Sequence, residues 1–176
     1  MKIACISDIH GNKFALDAVL ADLPDDIENL LFLGDLCGYY PFLEECTQLL
    51  KKKIAVGIRG NHDQVLIDCL ASESFPNTEY ERKYGSALRR SMVGLSLSSK
   101  DWIQDLPLTR TISLNGLTLT LYHGAPWNIL DGRVYPDFDE WHLFEDEIGD
   151  IILLGQTHYP IKKIIKNKLI VNPGSV

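Results

Sequence analysis

A chain of 176 residues, 45% hydrophobic and 23% charged, has the make-up of one globular domain with a core of its own, and residues 1–176 are read as that single domain. Its formal net charge of −7, from 17 basic and 24 acidic side chains, argues against a broad nucleic-acid-binding face, so any phosphate-bearing ligand must be held locally. No apolar run is long enough to span a bilayer, and the run before Asp8 is too short for a signal peptide; the expectation is a cytoplasmic protein without a membrane partner.

In chain order, "KIACISD" reads as a strand and "NKFALDAVLADL" as a helix ending before Pro24. "NLLFLGD" is a second strand, "FLEECTQLLKKK" a second helix, "IAVGIRGNHD" a third strand with its turn, and "QVLIDCLA" the start of another helix. This alternation predicts a parallel sheet with helical crossovers. From Ser72 to Pro107 the chain reads as mainly helical: "TEYERKYGSALRRSM" is one amphipathic stretch, and Ser99 is the expected cap of "KDWIQDL". "TRTISLNGLTLTLYHG" alternates around Asn115-Gly116, a strong hairpin signal. "DFDEWHLFEDEI" reads as an acidic helix, "DIILLG" as a buried strand, and the tail as a hairpin turning at Lys166 to Lys168. Cys5, Cys37, Cys46 and Cys69 form no CxxC pair and read as reduced thiols. The expected fold is a layered α/β domain, with parallel strands early and antiparallel hairpins late.

Chemistry gathers where these strands end. Asp8-Ile9-His10-Gly11-Asn12, Gly34-Asp35, Gly60-Asn61-His62-Asp63, His123-Gly124 and Gly155-Gln156-Thr157-His158 each follow an apolar run. Four of the five histidines fall in these segments; His142, on the acidic stretch, reads as a solvated surface residue. Any one segment is an ordinary polar turn. Five together are not, because parallel strands bring their carboxyl ends to a common rim. Mixed oxygen and imidazole donors without cysteine suit manganese, iron or zinc. Two such ions about 3.5–4 Å apart can clamp both oxygens of an in-line displacement, which is the chemistry of phosphoester hydrolysis.

These segments, with the wording "SDIHGN", "GDLCGYYP", "RGNHD", "HGAP" and "VNPGSV", resemble the calcineurin-like metallophosphoesterases, and most closely their small bacterial and archaeal phosphodiesterases. The resemblance spans essentially the whole chain. It implies a four-layer α/β/β/α sandwich with mixed sheets and a centre for two divalent transition metal ions, manganese first, with iron, zinc or nickel as alternatives. Carried over by position, Asp8, His10 and His158 would hold one ion, Asp35 would bridge, and Asn61 and His123 would hold the second. The family usually has a histidine where this chain has Gln156, a second-metal ligand whose amide oxygen is the poorer donor. His62 resembles the proton donor to the leaving oxygen, Asp63 is placed to orient its ring, and Asn12 and Arg59 are candidates for contacting substrate phosphate.

The implied activity is hydrolysis of a small, nucleotide-like phosphodiester by a hydroxide held between the ions. Two rivals stay open. One is a non-catalytic assembly subunit, as in the retromer subunit of similar fold; the other is a protein with one metal and slow turnover. Relatives run on past "VNPGSV", so the second sheet is expected to be short or to expose an edge that could pair with another subunit in a homo-oligomer.

Overall fold

The computed structural model describes residues 2–176. Strands β1 (Lys2–Ile6), β2 (Ile27–Phe32) and β3 (Val56–Gly57) form a parallel sheet in that order. Helices α1 (Lys13–Asp22) and α2 (Leu43–Lys53) cross between them. Asn12 caps α1 by accepting from the Ala15 amide. In α2, Glu44 and Glu45 sit in the first turn and Lys51, Lys52 and Lys53 in the last, each sign at the end of the helix dipole that favours it. Four helices follow: α3 (Asn61–Ala71), α4 (Thr78–Tyr84), α5 (Ala87–Gly94) and α6 (Leu97–Gln104).

The second sheet contains β4 (Thr109–Leu114), β5 (Leu117–Tyr122), β6 (Ile151–Leu153), β7 (Ile161–Ile165) and β8 (Lys168–Asn172), ordered β4-β5-β6-β8-β7. Hairpins form both edges, and β5, β6 and β8 run parallel in the middle. The β4–β5 turn is at Asn115-Gly116, both with positive φ, as a tight turn matched to strand twist requires. This sheet is the larger of the two, and β7 lies open at its edge.

Alternating burial explains the continuous apolar runs. Leu30 and Phe32 face the helices, whereas Leu31 and Leu33 face the second sheet. Ile151 and Leu153 face the first sheet, whereas Ile152 and Leu154 face outward under a further cover. Strands buried on both faces have no polar side to show. The four layers are therefore helices, sheet, sheet and an outer cover, giving the mixed α/β sandwich expected.

Local elements differ from expectation in four places. The outer cover is irregular chain with one 3-10 turn, Trp141–Phe144, where an acidic helix was expected. Glu145, Asp146 and Glu147 would oppose the dipole at a helix C-terminus, and Phe138, Trp141 and Phe144 instead cluster against the second sheet. The amphipathic stretch is broken into α4 and α5 at Gly85, whose φ is +79°. Helix α6 starts a turn early, capped by Ser96 rather than Ser99. Finally, β3 is short, and Asn61, His62 and Asp63 form the first turn of α3 rather than a turn before it. His142 is exposed, as expected.

Candidate metal centre

The strand ends of both sheets meet at one rim. The loop after β1 is stitched to the loop after β2 by Asp8 N–H donating to Gly34 O (3.0 Å) and His10 N–H to Asp35 O (2.9 Å). Within the second sheet, Gly155 N–H donates to His123 O at 2.8 Å, and the His123 ring reaches Leu33 O of the first sheet at the same distance. Eight non-glycine residues among those described have positive φ, and five of them are Asp8, His10, Asp35, Gln156 and His158. Backbone strain gathered at one spot, in residues with no turn requirement in common, marks a functional site. Close approach adds a further demand: a Cβ on Gly60 would lie 2.1 Å from Asp35 Oδ1, so only glycine fits beneath that carboxylate.

Three overlapping groups of donors each lie within 4.8 Å: Asp8, His10 and His158; His10, Asp35 and His62; and Asp8, Asp35 and His123. His123 Nε2 is 3.3 Å from Asp35 Oδ2 and 3.1 Å from Asn61 Oδ1, and His158 Nε2 is 3.4 Å from Asp8 Oδ1. The rings are held in the tautomer that metals need. His10 Nδ1–H donates to Cys37 O (3.0 Å) and His123 Nδ1–H to Leu33 O (2.8 Å), which leaves each Nε2 lone pair turned inward. His10 Nε2 and His158 Nε2 stand 3.1 Å apart, and Asp8 Oδ1 is buried with no hydrogen-bond partner. Two imidazole nitrogens and an orphaned carboxylate oxygen turned on one another cost free energy unless a proton or a cation lies among them. The donor set fits divalent metal.

Without metal, a proton takes the cation's part. Burial alone would lower the His123 pKa, but the charge of Asp35 and its hydrogen bond carry it up to about 9. Burial would likewise raise Asp35, yet the His123, His62 and His10 imidazoles hold it well below the usual carboxylate range. His158 is raised, chiefly by the Asp8 carboxylate 3.4 Å from it. For His62 burial prevails and pushes the ring down to about 4, against the pull of Asp35.

Several residues stand elsewhere than the sequence suggested. Asp63 does not touch the His62 ring. Its carboxylate accepts from the Gly60, Asp35, Leu36 and Cys37 amides at 2.9–3.1 Å, pinning the loop after β2 to the start of α3. The partner of His62 Nδ1 is the Tyr80 hydroxyl of α4, at 2.6 Å. Asn12 is occupied as a helix cap, although it lines a cleft beside His10 and His158. Arg59 is not among the residues lining that cleft or the one over the donors; its Nε is buried without a partner. Gln156 lies beside Asn61 but turns its amide nitrogen there, donating to Asn61 Oδ1 (3.3 Å) and Leu130 O (3.0 Å). So held, it presents a donor to the second set, not a lone pair.

A cleft of about 260 Å³ opens over the donors, walled by Tyr39, Lys83, Tyr84, Arg133 and Tyr135. None of these was singled out from the sequence. One signal was available: Tyr80, Lys83 and Tyr84 share the i, i+3, i+4 spacing of a single helix face.

Comparison with known proteins agrees with this geometry. An uncharacterised protein of Methanocaldococcus jannaschii is 30% identical over 182 residues, an overlap of 99% of this chain and 69% of that one. The crystal structure of a metallophosphoesterase from Sphaerobacter thermophilus superimposes with a TM-score of 0.78 at 25% identity, over 99% of this chain and 76% of that one. That of a hypothetical protein from Pyrococcus horikoshii gives a TM-score of 0.79 at 21% identity over the same shares, a likeness of fold alone. Residues 1–171 match the family described as calcineurin-like phosphoesterase, to which this chain belongs.

Proposed function

We propose that the protein is a metal-dependent phosphodiesterase acting on a small nucleotide-like diester. In this reading Asp8, His10 and His158 hold one divalent ion, Asn61 and His123 hold a second, and Asp35 is shared. Manganese, iron and zinc all suit a set of imidazoles and carboxylates, and manganese is the ion taken first in this reading. The observation that carries the reading is the inward-facing Nε2 atoms of His10 and His123, each fixed by a backbone carbonyl on its other nitrogen. Divalent ions bound there supply Lewis acidity toward the phosphoryl oxygens and a water acidified toward neutral pH.

The chain's own side chains do the rest. The Tyr80 hydroxyl orients the His62 ring through Nδ1 and leaves Nε2 free; the protonated ring would give its Nε2 proton to the leaving oxygen and return to neutral imidazole. Asp63 acts through the backbone, holding Asp35 and His62 in place from below. Tyr39, Tyr84 and Tyr135 give the cleft aromatic walls that suit a nucleobase.

Chelation should abolish cleavage of bis(p-nitrophenyl) phosphate, and manganese should restore it better than magnesium. Full turnover after metal removal, verified by elemental analysis, would overturn the proposal. Gln156 favours a second reading of the same centre, in which the second ion binds weakly because the amide nitrogen already occupies Asn61 Oδ1. Metal titration separates the two: one tight and one weak site supports the second reading, and two equal sites remove it.

A further inference from the structure

Two cations line the cleft that the reaction just proposed does not use. Lys83, from α4, and Arg133, from the loop after β5, both border it, and both are exposed. Among the described residues neither makes an ion pair with a carboxylate. The Lys83 ammonium rests 4.8 Å over the Tyr84 ring, and Arg133 lies near enough to Tyr39 for its charge to act on that phenol. Unpaired cations are out of place here. The chain is acidic, with a net charge of −7, so carboxylate partners are plentiful, yet these two face a centre built to hold divalent cations. Like charges crowded over a metal site repel, unless an anion fills the space between them. A simple phosphodiester brings one negative charge, which the metal centre alone can neutralise. A substrate with further phosphates brings the charge that would reach Lys83 and Arg133.

We propose that Lys83 and Arg133 form an anion subsite that selects substrates carrying at least one phosphate beyond the one attacked, as in esters of nucleoside polyphosphates. The inference rests on the phosphoesterase reading for the position of the attacked phosphate. Arginine suits the task because its planar guanidinium can grip two phosphate oxygens, while lysine contributes a mobile point charge. The subsite is assembled from two separate elements. Tyr39 and Tyr84 stand beside the cations and would take the base.

The test compares diadenosine tetraphosphate with the p-nitrophenyl ester of thymidine monophosphate, using manganese-loaded protein. Both carry a base, but only the first carries extra phosphates. Lys83→Gln and Arg133→Gln should each lower kcat/KM for the tetraphosphate roughly tenfold relative to the nitrophenyl ester, the usual consequence of losing one charged hydrogen bond. The fall should appear mainly in KM, because the lost contact is remote from the reacting phosphorus. A second arm needs no turnover: calorimetry with a methylene-bridged, non-hydrolysable tetraphosphate analogue should show about tenfold weaker binding for each variant. An unchanged ratio, or unchanged analogue affinity, overturns the subsite. If neither substrate is hydrolysed but the analogue's affinity still falls in both variants, the subsite stands and the phosphoesterase reading is what fails.

Discussion

His62 is joined by a tyrosine from another helix, although a carboxylate follows it directly in the chain. A hydroxyl can accept from a protonated ring or donate to a neutral one, so it orients the imidazole without fixing its charge. Tyr80→Phe should therefore lower turnover of a diester with an alkyl leaving group by about tenfold, a fraction of the 10²–10⁴ usual for general acid catalysis, with KM little changed. An activated nitrophenolate, which needs little help to leave, should be less affected; equal losses on both substrates would show that Tyr80 supports only the fold. Gln156 poses the complementary case. Gln156→His should replace a donor to Asn61 with a lone pair, tighten the weaker metal site, and let activity saturate at lower manganese. Calorimetric titration of metal into the stripped protein reads this directly, and an unaltered isotherm would show that the residue stands apart from the metals.

At the level of elements, one side chain joins β2 to α3. Asp63 accepts from four backbone amides, three in the loop that carries Asp35 and one at Gly60, so the loop and the helix N-terminus share a single clamp. It is fully buried, so Asp63→Ala strands several donors with no water to take over. Each costs about 1–3 kcal/mol, and the sum should exceed about 4 kcal/mol in chemical denaturation. Metal affinity should fall with it, since Asp35 would lose its frame. A loss below about 1 kcal/mol, within the range of ordinary surface changes, would show that the clamp is dispensable. Helix α4 is the contrasting element. It has no buried residue and ends at Gly85, yet it brings Tyr80 against His62 and Lys83 and Tyr84 to the wall of the cleft.

For the whole molecule, metal and proton compete for one position, and stability should record it. His123 has its pKa raised to about 9 in the folded, metal-free protein, against about 6.5 for an unfolded histidine. Its contribution is thus fully present below about pH 6.5 and is lost as pH rises toward 9. Metal-free protein should lose stability across that window, whereas manganese-loaded protein, with the proton displaced, should not. His123→Asn should flatten the alkaline fall in the metal-free form; a fall of the same depth would assign it to another group. Manganese at about a hundred times its dissociation constant should stabilise the fold by about 2.7 kcal/mol, which at this size raises Tm by roughly 5–10 °C. No helix among the described residues is long and apolar enough to cross a membrane.

What the sequence alone determined follows from local rules. Apolar runs buried on both faces, such as "NLLFLGD" and "DIILLG", can only be inner strands, and the polar segments after them had to reach one rim once the strands ran parallel. The Asn115-Gly116 hairpin and the convergence of Asp8, His10, Asp35, Asn61, His123 and His158 were legible for the same reason: each depends on a turn or strand end a few residues long. What only the tertiary structure decided involves partners distant in sequence. Asp63 and His62 are neighbours in the chain, but consecutive residues on a helix point about 100° apart, so the carboxylate turns under the β2 loop while the imidazole turns toward Tyr80, 18 residues on. The acidic stretch from Asp137 to Ile148 carries a helical pattern but packs as an aromatic cover, because contacts with the second sheet outweigh a weak local preference. Lys83 and Arg133 belong to no motif, and they reach one cleft only because α4 and the loop after β5, far apart in the chain, both border it. Local spacing sets the backbone's turns, while the meeting of side chains across them depends on how the layers pack.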